Sequence, residues 1–175
     1  MTKQKEKSAK EDAEFQSIIR ELIENETVLQ MNNFMQHYDT NCFSHCYTAS
    51  YYCYILCKKL GLDYKSAAKG AMLHDLFLYN WREKGDRKGL HAFTHGRCAY
   101  ENASKIFELN DIEKDMIIKH MWPLTVKLPK YKETFILTLV DKYCTIEETA
   151  KYYRKKKVFK YAYMLIGGLL LKFTK

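Results

Sequence analysis

The chain is poor in the residues that break helices. Two prolines and seven glycines in 175 residues leave few places for linkers, and a chain that is 47% hydrophobic has enough apolar material for one core. This excludes a Pro/Gly-rich disordered polymer and argues for a single domain. Alternation of apolar and polar residues is nowhere sustained, which excludes a sheet-dominated fold, and no segment repeats at a solenoid period. Cys-x-x-Cys pairs are missing too. The six cysteines (42, 46, 53, 57, 98 and 144) lie mostly in apolar helical sequence, which argues against a disulfide framework and for reduced thiols in a cytosolic protein. Cys42, Cys46, Cys53 and Cys57 share one helical stripe and read as small buried hydrophobes rather than as a thiolate metal site.

Acidic residues are missing from one end only. Residues 151–175 hold eight Lys or Arg and no acid, while the preceding 150 residues carry 21 charges of each sign, so the net charge of +8 belongs to the tail. A neutral body does not offer the basic stripe that phosphate backbones require, and no nucleic-acid partner is expected. The opening residues are almost wholly polar and lack the pattern of a signal peptide. Residues 1–12 are expected to form a disordered polar tail, 13–153 the helical core, and 154–175 a basic-apolar C-terminal helix or tail. The apolar stretch Tyr161 to Leu171 is shorter than the roughly 20 residues that span a bilayer. Behind Arg154-Lys-Lys-Lys157 it reads as a last packed helix, with contact to an anionic membrane surface as the alternative.

What the chain has in quantity is helical periodicity. Phe15, Ile18, Ile19, Leu22 and Ile23 mark a first helix, and Val28 to Met35 a second. A third is capped by Asn41 or Ser44 and stopped by Gly61, and Asp63 caps a fourth that carries His74-Asp75 near its end. A fifth opens at His91 or His95 and runs to about Leu109. Asp111 caps a sixth ending near His120, and Lys132 to about Tyr153 forms a seventh. The expected fold is an all-α, compact helical bundle with ligands projecting inward.

Ionisable residues interrupt this apolar sequence at telling places. Asp141 lies in Phe135-Ile-Leu-Thr-Leu-Val-Asp-Lys-Tyr-Cys144, where its helical neighbours are Leu137, Thr138 and Cys144. His74 and Asp75 end an apolar run, and His120 has Met116 and Ile117 one turn back. An unpaired buried charge costs several kcal/mol, and a divalent cation is the simplest partner these groups can share.

The ordered set Phe43-Ser-His45-Cys, Leu73-His74-Asp75, Thr94-His95-Gly96, Ile118-Lys-His120 and Val140-Asp141-Lys resembles the HD-domain superfamily of metal-dependent phosphohydrolases. The resemblance covers about residues 37–145 and implies a single HD-domain-like bundle. It implies one metal on His45, His74, Asp75 and Asp141, with Asp75 bridging to a second on His95 and His120. The layout is most like the branch that splits diadenosine tetraphosphate symmetrically. The expected cofactors are two divalent transition-metal ions, drawn from Fe, Mn, Co, Ni or Zn. A water between two such ions becomes hydroxide near neutral pH and attacks phosphorus in line.

His91 lies one turn before His95, so either could be the ligand. His95 is preferred, leaving His91 beside Asp75 as a catalytic candidate that donates a proton to the leaving oxygen. His37 is a candidate for the pocket wall. Cationic contacts for a small phosphorylated, nucleotide-like substrate are expected from Arg97 first, then from Arg82, Lys84, Arg87 and Lys88. Leu78 stands where some branches carry a phosphate-contacting lysine, and no Glu-Asp pair follows His74-Asp75. Both departures argue against the cyclic-dinucleotide and (p)ppGpp branches. Two other functions fit the same residues: a di-iron oxygenase, and a non-catalytic nucleotide-sensing or membrane-associated module.

Overall fold

The computed structural model describes residues 3–84 and 88–170, with the backbone alone for residues 3, 4, 7 and 158–170. Among them are seven α-helices: α1 (Lys3–Ile23), α2 (Glu26–Leu29), α3 (Cys42–Lys59), α4 (Tyr64–Leu73), α5 (His91–Ala103), α6 (Asp111–Lys119) and α7 (Lys132–Leu170). A 3₁₀ turn (Gln30–Asn33) and a small antiparallel hairpin of β1 (Met35–His37) and β2 (Thr40–Asn41) separate α2 from α3. The all-α expectation holds, with the hairpin as its one exception among the described residues.

Local signals set most boundaries. Asn41 caps α3 by accepting from the Ser44 amide, Asp63 caps α4 by accepting from that of Ser66, and Gly61 takes the left-handed φ of 67° that ends α3. The cap of α6 is Asn110 rather than Asp111, and it forms a reciprocal capping box with Glu113. Three expectations need correction. The second helix is only one turn of α2, because Phe34 leaves helical geometry and Tyr38, at φ 47°, turns the chain back into the hairpin. α5 stops at Ala103, and Phe107 and Leu109 pack on the core from outside it. The polar stretch from Lys3 to Asp12 is helical, not a disordered tail, and Tyr51 donates to Asp12 at 2.8 Å.

α7 runs unbroken through the basic stretch that was expected to begin a separate element. The side chains of Tyr161 to Leu171 lie outside the described residues. Among the described residues, no helix is long and apolar enough to cross a membrane.

Small side chains let the central helices approach. Ala49, Cys53 and Cys57 of α3 share a fully buried cluster with Ala67 and Ala71 of α4, and Ser50 donates to the Ala68 carbonyl at 2.7 Å. All six cysteines are free, and five are buried. Gly70 lets α4 lie against α6, since a Cβ there would come within 3.3 Å of the Glu113 Cα. α1 closes one side through Phe15 and Ile19, which pack against Tyr54 and Ala68.

Glu14 fastens α1 to the bundle, accepting from the Tyr54 and Tyr64 hydroxyls at 2.9 Å each and pairing with Lys58. Hydrogen bonds from Lys58, Tyr54 and Tyr64 pull its pKa from 4.5 to about 2. A depressed carboxylate pKa contributes stability that is complete above the unfolded value and disappears as pH falls through the folded one. Glu14→Gln should therefore lower stability at pH 6 and flatten the loss between pH 4.5 and 2, as read by urea denaturation across that range.

Candidate metal centre

Five helices deliver six ionisable side chains to one buried point. His45 comes from the first turns of α3, His74 and Asp75 from the C-terminal end of α4, His95 from α5, His120 from the end of α6 and Asp141 from α7. The four histidines and Asp75 are buried, and the Asp141 side chain is 13% exposed.

Backbone carbonyls orient three of the four rings. Nδ1 of His74 donates to the Ala71 carbonyl at 2.7 Å, Nδ1 of His95 to that of His91 at 2.8 Å, and Nδ1 of His120 to that of Ile117 at 3.0 Å. A carbonyl can only accept, so each Nδ1 carries a hydrogen and each ring turns its Nε2 inward. The fourth ring differs. His45 sets Nδ1 3.0 Å from Glu148 Oε1 and Nε2 3.0 Å from Asp141 Oδ1, lying between two carboxylates.

Asp75 stands at the centre with its oxygens facing two groups of imidazoles. Oδ2 is 3.3 Å from His74 Nε2 and accepts from Gln36 at 2.6 Å, while Oδ1 is 3.2 Å from His95 Nε2 and 3.7 Å from His120 Nε2. Asp141 Oδ1 reaches His74 Nε2 at 3.7 Å.

Burial opposes charge on His45, but Asp141 and Glu148 outweigh it and hold the ring's pKa up at about 10. Burial would likewise raise both aspartates. The charge on His74 instead drives Asp75 well down, and the hydrogen bond from His45, with the charge on His74 nearby, does the same to Asp141. His120 goes the other way, as burial and then the charges of His95 and His74 push it down to about 3 and keep the ring neutral.

The donor set fits a metal on grounds the geometry itself supplies. His74 Nε2 and Asp75 Oδ1 are buried without a hydrogen-bond partner, and His95 Nε2 lies 2.8 Å from His120 Nε2. Two imidazole nitrogens at that spacing converge on a shared positive centre, a proton when one ring is charged or a metal ion when both are neutral. Among the described residues four groups have ligand atoms close enough for one ion: His45, His74 and Asp141, and His74, Asp75 and His120, lie within this set, while His37, His45 and Glu148, and Cys42, Cys46 and Asp75, reach outside it. Imidazole and carboxylate donors suit divalent transition metals.

The centre opens into a cavity of about 270 Å³. His91 lines it, stacked between Trp81 and His95 with the Tyr79 hydroxyl 2.9 Å from its Nδ1, and His37 lines the opposite side beside Thr145. Leu78, at φ 52°, turns the chain from Asp75 towards Trp81. The predicted cations do not gather here. Arg97 follows His95 by two residues, about 200° around the helix, so it faces away, stays exposed and pairs with Glu101 at 2.9 Å. Arg82 lies over the Trp81 ring at 5.4 Å, Lys84 and Lys88 are exposed without lining the cavity, and Arg87 falls outside the described residues. Among the described residues, the one cation on the wall is Lys142, next to Asp141.

Three contributors escaped the sequence reading. Glu148 could have been found, because it follows Asp141 by two helical turns and so shares its face. Lys142 adjoins Asp141, but only tertiary structure shows which way it points. Gln36 comes from the unforeseen hairpin.

Gly96 makes the approach of α5 to α6 possible. A Cβ there would lie 2.8 Å from the Ile117 carbonyl and 3.4 Å from His120 Cε1. Gly96→Ala should cost about 1–3 kcal/mol of stability by overpacking and separate His95 from His120. Thermal melts together with metal stoichiometry by elemental analysis check both effects.

Comparison with known proteins adds one positive finding. No match emerges among curated proteins or among solved structures. The HD domain matches residues 42–146, which contain all six of the convergent side chains. HD domains are generally metal-dependent hydrolases. On that match, which covers more than half of its length, the chain belongs to the HD domain family.

Proposed function

We propose that the protein is a metal-dependent phosphohydrolase acting on a phosphomonoester or phosphoanhydride of a nucleotide-like substrate. The observation that carries this reading is Asp75, whose two oxygens face separate groups of imidazoles as a bridging carboxylate would. His45, His74, Asp75 and Asp141 would hold one divalent ion, and Asp75, His95 and His120 a second. Such a pair of ions, when bound, lowers the pKa of a shared water and neutralises phosphoryl oxygens.

The remaining roles fall to the chain's own residues. Lys142 lines the cavity with its Nζ on the Trp122 and Thr138 carbonyls and would meet a phosphoryl group on turning from them, and Trp81 with its stacked His91 offers a flat face to a ring. As an imidazolium His91 would donate from Nδ1 to the Tyr79 oxygen, 2.9 Å away, and pass its Nε2 proton to the departing oxygen, leaving a neutral ring. A volume of about 270 Å³ lies below the roughly 300–1,000 Å³ of common ligand pockets, which favours a phosphomonoester of mononucleotide size over a dinucleoside polyphosphate.

Metal-loaded protein should release phosphate from members of a nucleotide panel, and chelation should abolish turnover until metal is restored. Asp75→Asn should lose both activity and metal stoichiometry; unchanged turnover in that variant overturns the reading. His91→Gln should lower kcat by about 10²- to 10⁴-fold with metal content intact. Lys142→Met should raise KM more than it lowers kcat, as steady-state kinetics would show.

A further inference from the structure

A second cavity, of about 610 Å³, lies on the far side of α5 and shares no lining residue with the metal centre. Its walls are apolar: Phe93 and Tyr100 from α5, Ile118 from α6, and Leu124 and Val126 from the segment before α7. Three of these are strongly exposed, with Phe93 at 52%, Leu124 at 49% and Val126 at 97%, a concentration of uncovered apolar surface that ordinary loops do not carry.

The charge at this cavity has one sign. Arg97, Lys114 and Lys127 line it from three different elements, and no carboxylate does so among the described residues. Glu101 pairs with Arg97 outside the lining, and Lys114 rests over the Tyr100 ring at 5.4 Å. One polar atom has no partner: Thr125, also in the lining, has a buried Oγ1 without a hydrogen bond.

We propose that this cavity binds an amphipathic anion, a phosphate ester of an apolar alcohol. Its apolar body would lie against Phe93, Leu124 and Val126, with its head between Lys114 and Lys127. The volume suits such a ligand, falling within the roughly 300–1,000 Å³ usual for small-molecule sites. Arg97, expected at the metal centre, lines this cavity instead, paired with Glu101. The inference stands independently of the chemistry proposed for the metal centre.

Octyl phosphate below its micellar concentration is the probe, titrated calorimetrically into the full chain, with inorganic phosphate and octyl glucoside as the head-only and tail-only arms. The expected result is one molecule per chain, bound about tenfold more tightly than either arm, because charge-assisted contacts and apolar burial act together. Lys114→Glu and Lys127→Glu should each weaken binding about tenfold, while Asp75→Asn should leave it unchanged. Both lysines are exposed, so circular dichroism should show these variants folded. Absence of binding, equal binding of octyl glucoside, or loss in Asp75→Asn with the lysine variants unaffected would each overturn the proposal. The last would place the phosphate at the metal centre instead.

Discussion

Hydrogen bonds from imidazole Nδ1 to main-chain carbonyls are the constraint on which the centre depends. His74, His95 and His120 each donate to a carbonyl three or four residues back in their own segments, so the helix that carries the ring also fixes its tautomer. The Nε2 atoms that follow crowd inward around Asp75, which cannot pair with them all. Burial makes this expensive, since the same low-polarity surroundings that strengthen a paired charge penalise an unpaired one. The fold concentrates electron-pair donors where only a cation relieves them.

His45 is oriented by different means. It uses no carbonyl and is held between Asp141 and Glu148, two carboxylates of the same helix. Carboxylate partners of ligating histidines raise ligand basicity as well as fixing the ring, so the two halves of the centre differ in electronic character. Asp75 faces the three rings oriented by carbonyls, with Gln36 occupying one of its oxygens.

The parts of the fold legible in the sequence were those decided locally. Asn41, Asp63 and Gly61 mark helix ends through their own side chain or lack of one, and the structure uses them as read. The order of histidines and aspartates in apolar helices was equally legible, and those residues do converge. The hairpin was not, because strands of three and two residues leave no periodic trace and the turn rests on Tyr38 in an unfavoured conformation. Arg97 shows the opposite failing: nearness in sequence to His95 suggested a shared site, while helical geometry put the two side chains on different faces. Gln36 was invisible for a third reason, since its contact with Asp75 joins positions 39 residues apart.

α7 contributes Asp141 and Glu148 from one continuous rod. Each added or deleted residue turns a helix by about 100°, so inserting one between these positions would swing one carboxylate away from His45 while the other stayed. The seven-residue interval therefore behaves as a fixed ruler, and no compensating shift along the axis can repair it. Changes in chain length are tolerable only where the backbone is free of such phase, as in the segments between α4 and α5 and between α6 and α7.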